Sequence, residues 1–291
     1  MATRTMAART MAARTMPAGW PDQRPLAISV NVMLEGWTDE SAPGIGPMGN
    51  PLKPGVLDLQ ARSWAEYGPK TGAWHILDLL VAAQARAVWY VSGLLAERYP
   101  ALVAAIAEAG HPVAGHSWAQ NVLPAYQTAE EEAADLGRCI ASLRAASGSP
   151  PRGWLSPRCT PSPRTSGLLA AAGFRWHADI FDADLPYRLD TGSGPIVAMP
   201  FTMEVNDMPL YVRYGSEPEA FSRVFERIVA GWPQIGNRPG CLDLTVHAHV
   251  FGRPYGLIEL RHALDIARRY PWAWLADHER LAAIFVEASG P

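Results

Sequence analysis

Carboxylates, imidazoles and a guanidinium stand where the apolar runs of this chain end. Glu35 follows the run LAISVNVM, His116 ends the run PVAG, and Arg158 closes GWLSPR. Glu204, Asn206 and Asp207 follow IVAMPFTM, and His247 and His249 close LDLTVH and its extension. A carboxylate beside an imidazole in a dry pocket can have both pKa values displaced toward neutrality, which is what proton transfer at neutral pH needs. Scattered in sequence, such residues do chemistry only if the fold brings them to one place.

The elements that must position them alternate between apolar, strand-like runs and helical patterns, the signature of a parallel α/β architecture. Strands are expected at residues 26–33, 87–92, 112–115, 153–155, 196–199 and 242–247, and helices at 74–85, 100–109, 128–146, 163–172, 218–230 and 256–269. Thr128 with Glu131 three residues on is a capping-box pattern. Counting these units gives a barrel, and in a parallel barrel all strand ends open on one face, so the polar residues should converge at a catalytic mouth. Residues 34–72, rich in Gly and Pro and carrying Trp37, Trp64 and Tyr67, read as one long functional loop that covers a site or makes a subunit contact. TMAAR occurs at residues 5–9 and again at 10–14; residues 1–19 are expected to be a disordered tail and 20–291 a single catalytic domain.

A chain of 291 residues, 48% hydrophobic and 18% charged, is long enough for a sizeable core. Its formal charge of -3 and lack of Lys/Arg clusters argue against nucleic acid as a partner, and a small-molecule substrate fits better. Three widely spaced cysteines suggest a reducing, cytoplasmic setting, and no apolar run is long enough to span a membrane.

GHSWAQ (Gly115 to Gln120) resembles the His-(Ser/Thr)-x-x-His metal motif of the polysaccharide deacetylase superfamily, and VHAHVFGRP (Val246 to Pro254) resembles its late strand-end histidine motif. SWAEYGPKTGAWHIL, GWLSPRCTPSPRT, WHADIFDADLPY and MPFTMEVNDMP resemble blocks of the allantoinase-like branch, whose members hydrolyse ureide or cyclic amide rings. The resemblance implies a distorted (β/α) barrel of about seven units and a hydrolase of carbon–nitrogen bonds other than peptide bonds. It also implies a divalent metal, zinc for example, held by one Asp and two His. Here Asn31 and Met33 stand for the Asp pair and Gln120 for the second His, so the Asp-His-His set is incomplete and no cofactor is expected. If a metal binds, His116, His247 and His249 are its candidate ligands.

Water attacking an amide carbon needs a base, an oxyanion donor and an acid for the leaving nitrogen. Glu35, His116, Glu204 and His247 are the candidates: either Glu35 or Glu204 is the base with His247 as acid or oxyanion donor, or the order is reversed. Arg158, Trp118, Asp184, Asn206 and Asp207 are the expected substrate contacts. Asp179 and Asp184 match family acids that could equally orient a histidine or cap a turn. Cys159 has no partner His in these blocks, and His75, His111, His262 and His278 read as surface or packing residues. The reading of first choice is a metal-independent hydrolase of a cyclic amide, imide or ureide. The alternatives are a metal-dependent N-deacetylase and an inactive homologue that binds a small molecule. The long loop and the Pro-rich blocks suggest a homo-oligomer whose neighbouring chains help close the pocket.

Overall fold

The structure is a computed structural model and describes residues 19–49 and 51–289; the repeat and the rest of residues 1–18 lie outside the described residues. Strand β1 (Leu26–Leu34) is buried along its whole length, as an apolar run is when a parallel sheet is covered on both faces. After it come β2 (Val88–Val91), β3 (Val113–Gly115), β4 (Gly153–Trp154), β5 (Trp176–Ile180), β6 (Tyr187–Thr191), β7 (Gly194–Pro200), β8 (Gly240–His247) and β9 (Ala273–Ala276). They make one sheet in the order β6-β7-β5-β4-β3-β2-β1-β8, with β9 beside the first half of β1. Every pairing is parallel except the β6–β7 hairpin. The sheet curls into a distorted (β/α) barrel, as expected.

Strand pairing does not close the barrel. Between β7 and β8 the gap is spanned by irregular chain: the Thr202 N–H donates to Asp243 Oδ2 at 2.6 Å, the Asp243 N–H to Thr202 Oγ1 at 2.7 Å, and the Thr245 N–H to the Val205 carbonyl at 3.0 Å. These bonds satisfy an edge that would otherwise be exposed.

The helices are α1 (Leu59–Tyr67), α2 (Ala73–Ala82), α3 (Gly93–Arg98), α4 (Pro100–Glu108), α5 (Ala129–Ser147), α6 (Thr165–Ala171), α7 (Ala220–Gly231), α8 (Pro254–Arg269) and α9 (His278–Ser289). Outward side chains of β1 such as Ile28, Val30 and Val32 join the main core with helical residues, including Ile76 and Leu264. Inward ones, Ala27 and Met33, pack with Tyr90, Trp176 and Met199 inside the barrel. There α9 inserts Leu281, Ala282 and Phe285 among residues that begin the strands, so it plugs the end away from the strand carboxyl termini. The expected capping box of α5 is present, with Thr128 N–H to Glu131 Oε2 at 2.8 Å and Glu131 N–H to Thr128 Oγ1 at 3.2 Å.

Two expectations need correcting. Residues 34–72 are not one loop: α1 and a π-helical turn (Gly68–Gly72) occupy their last third. Pro69 is accommodated where α1 passes directly into the π-helical turn. His278 is neither a surface residue nor a bare packing residue. It is fully buried in the barrel, where its Nδ1 accepts from the Tyr90 hydroxyl at 2.5 Å and its Nε2 donates to Asp243 Oδ1 at 2.8 Å.

Candidate active site

Glu35 is the first residue beyond β1, His116 the first beyond β3, and His247 the last of β8, so the barrel carries all three to its carboxyl-end face. Glu35 Oε1 lies 3.5 Å from His116 Nε2 and 3.8 Å from His247 Nε2, and Glu35 Oε2 lies 4.0 Å from His249 Nδ1. One carboxylate thus faces three imidazoles contributed by two separate strands.

The far side of the His116 and His247 rings is already committed. His116 Nδ1 donates to the Leu155 carbonyl at 2.6 Å, and His247 Nδ1 donates to Asp207 Oδ1 at 2.6 Å. The other Asp207 oxygen accepts the His247 backbone N–H at 2.8 Å, which locks the ring's orientation. Both Nε2 atoms are therefore free to work on the cluster side. Burial opposes the charged form of His247, but the Asp207 and Glu35 carboxylates outweigh it and hold the imidazole above its ordinary value. Burial likewise opposes ionisation of Glu35, yet the surrounding His247, His116 and His249 bring its carboxyl down to about 2. His249 goes the other way, to about 4, because it is buried against Trp64 and Trp37, whose rings stand edge-on at 4.5 and 5.8 Å. Its Nε2 has no hydrogen-bond partner among the described residues.

Other expected site residues lie elsewhere. Glu204 is exposed in the turn after β7, with no ion-pair partner among the described residues, and does not join the cluster. Trp118 faces away from it, packing on Leu94 and under the Arg138 guanidinium at 3.3 Å. Asp184 is at the wrong end: it is exposed, and its carbonyl accepts the N–H of Cys241, near the start of β8. Asn206 is buried, and its Oδ1 accepts the Met208 N–H at 2.9 Å, which makes it a turn-former. Asp207 is fully buried with both oxygens engaged, so it positions His247 and does not touch substrate. Arg158 is exposed in a turn at φ 56 and has no ion pair among the described residues. Asp179 accepts the Ser156 N–H and hydroxyl at 2.7 and 2.8 Å; burial raises it to about 6 in spite of both bonds.

Tyr211, Arg253 and Tyr255, missed in the sequence, line the surroundings together with Trp64. The turn after β8 carries Arg253, and Trp64, Tyr211, Arg253 and Tyr255 wall a cleft of about 780 Å³ beside the His249 cage. Arg253 sits in the segment VHAHVFGRP, but a lone Arg after a Gly gives no sign of facing a cleft.

A sequence model of the polysaccharide deacetylase family matches residues 65–177. The matched segment resembles a polysaccharide deacetylase domain, and the barrel around it has the fold of solved polysaccharide deacetylases. A Schizosaccharomyces pombe protein assigned to the polysaccharide deacetylases is 25% identical over 302 residues, covering 90% of this chain and 91% of its own. A Pseudomonas aeruginosa PAO1 protein assigned likewise superposes with a TM-score of 0.83 at 24% identity, covering 93% of this chain and 94% of its own. PuuE allantoinase superposes with the same score and identity, over 93% of each chain. No helix of the described residues is long and apolar enough to cross a membrane.

The donors present decide whether the superfamily's divalent metal fits. Asn31 accepts from Ser29 Oγ at 2.8 Å and donates to Thr245 Oγ1 at 3.4 Å, Met33 packs in the barrel core, and Gln120 Nε2 donates to Ser92 Oγ at 3.2 Å. The positions expected to replace the Asp and second His offer an amide, a thioether and an amide, all otherwise occupied. No group of three His, Cys, Asp or Glu among the described residues is arranged to hold a metal ion. These residues do not fit the family's metal.

Proposed function

We propose that this chain is a member of the polysaccharide deacetylase superfamily that hydrolyses an amide-type bond in a small cyclic amide, imide or ureide, and does so without a divalent metal. One observation carries the reading: a single carboxylate oxygen, Glu35 Oε1, faces the Nε2 atoms of two imidazoles whose Nδ1 atoms are both tied down. A lone pair facing a carboxylate is repelled, so the cluster needs a shared proton, and His247, flanked by two carboxylates, is where it resides.

The roles follow. Glu35 is too acidic, at about 2, to be an efficient base at neutral pH, and instead holds the attacking water. His116 Nε2 takes the water's proton as the oxygen bonds to the amide carbon. The developing oxyanion accepts from His247 Nε2–H, in a buried setting where such a bond is strong. As the carbon–nitrogen bond breaks, the nitrogen takes a proton from an imidazole and the cluster returns to its starting charge. The ring opens to an acid and an amine or amide, with one water consumed.

The fold shared with PuuE allantoinase supports the ring substrate. The family match favours metal-dependent N-deacetylation as the second reading. The test is a screen of cyclic ureides, imides and N-acetyl compounds on chelator-treated and zinc-supplemented protein, with bound metal measured by mass spectrometry. Ring opening by the chelated protein supports the proposal. Activity that appears only with stoichiometric zinc overturns it, and silence everywhere favours a binding role.

A further inference from the structure

Arg253 is the only residue in the segment VHAHVFGRP whose charge is left without a counter-ion or hydrogen bond among the described residues. Its neighbours in the fold are supplied: Arg62 and Arg98 share Asp39 at 3.2 and 2.9 Å, and the nearby Glu66 carboxylate is taken by Lys70 at 2.8 Å. Arg253 is half-buried, and its guanidinium lies 4.0 Å from the centroid of the Tyr67 ring. That ring is itself held by its hydroxyl, which donates to the Gly252 carbonyl at 3.4 Å. A guanidinium stacked on an aromatic face keeps its edge N–H groups free, and that fork matches a carboxylate in two parallel bonds.

The cleft it borders is of about 780 Å³, in the range that encloses a drug-sized molecule, and therefore exceeds what a bare five-membered ring fills. Its walls include the aromatic faces of Trp64, Tyr211 and Tyr255. Trp64 is also the ring packed 4.5 Å from His249, which in turn lies 4.0 Å from Glu35. Trp64 is thus the wall that the cleft and the reacting cluster share.

We infer that the substrate is a ring compound bearing a carboxylate-carrying, apolar arm, and that Arg253 with Trp64, Tyr211 and Tyr255 seats this arm while the scissile bond meets Glu35, His116 and His247. This rests on the hydrolase reading for the ring and stands by itself for the arm. Arg253 is a specificity-determining residue and takes no part in the proton transfers.

The test uses the full chain and two probes, a phenylhydantoin carrying a carboxylate on its phenyl ring and the same compound with a carboxamide there. Titration calorimetry should give the carboxylate an affinity about tenfold or more above the carboxamide, as a charge-assisted bidentate pair supplies. Arg253→Met should erase the difference, and Arg253→Lys should keep part of it. Equal affinity in the wild type, binding of neither probe, or a preference that survives Arg253→Met overturns the inference. Turnover of the carboxamide probe judges the hydrolase reading separately: ring opening without any carboxylate preference removes only the arm's seat. A preference without ring opening removes only the reaction.

Discussion

Glu35 is buried yet held ionised by three imidazoles. Glu35→Gln keeps the shape and removes the charge that orders the water and the imidazolium. Its kcat should fall on the order of a hundredfold or more, read in a steady-state assay of the ring substrate. Glu204→Gln, by contrast, should leave kcat within about twofold, since surface substitutions away from a site change little; a large loss there would return Glu204 to the chemistry. The acid limb belongs to other groups, but the alkaline limb belongs to His247. This residue must be protonated to donate, and its pKa is raised, so activity is present below that raised value and lost as pH climbs through it, above the ordinary 6.5. Asp207→Asn removes a raising partner and should move this limb downward as well as lower kcat, visible in a kcat–pH profile. Glu35, His116 and His247 are legible in the sequence because each ends an apolar run, and strand ends share a face. Glu204 and Asp184 are misplaced by the same rule, since residues a few steps beyond a strand end have left its geometry.

Among the elements, the contact between the π-helical turn and the strand-end histidine turn is the tightest near the site. A Cβ at Gly72 would lie 2.0 Å from the Ala248 carbonyl oxygen, and one at Gly252 would lie 2.2 Å from the same atom. Ala248 sits between His247 and His249, so any shift there is felt by both rings. Gly72→Ala should cost about 2 kcal/mol or more of stability by overpacking backbone. Its kcat should drop as well, and a urea melt with an assay at fixed folded fraction separates the two. Helix α5 is readable from its residues alone, because Thr128 and Glu131 mark where it starts. Strand β5 is hard to read because WHADI mixes an indole, an imidazole and a carboxylate, and β6 because this edge strand alternates only half-buried and exposed positions. Strand β9 is four residues long and takes its pairing from β1, a partner that no local pattern reveals.

For the whole molecule, the face that carries the long 34–72 segment exposes Ile45, Met48, Leu52, Val56 and Leu59. So much apolar surface on one stretch favours association, and a light-scattering mass above that of one chain is the expected result; a monomer would remove the oligomer from the account. The barrel class is legible from alternating elements, whereas its closure by irregular chain is not, because those bonds run through the Thr202 and Asp243 side chains. His278→Ala should cost about 3–5 kcal/mol in a denaturant titration, because it leaves the Asp243 carboxylate buried without its partner. Tyr90 and His278 are 188 positions apart in the chain, and Asp243 and His278 are 35 apart. A ribosome that has delivered Tyr90 has therefore yet to make the imidazole that accepts its hydrogen bond. One imidazole thereby fastens the second strand, the eighth strand and the last helix together, so the closed end of the barrel is tied by residues far apart in the chain.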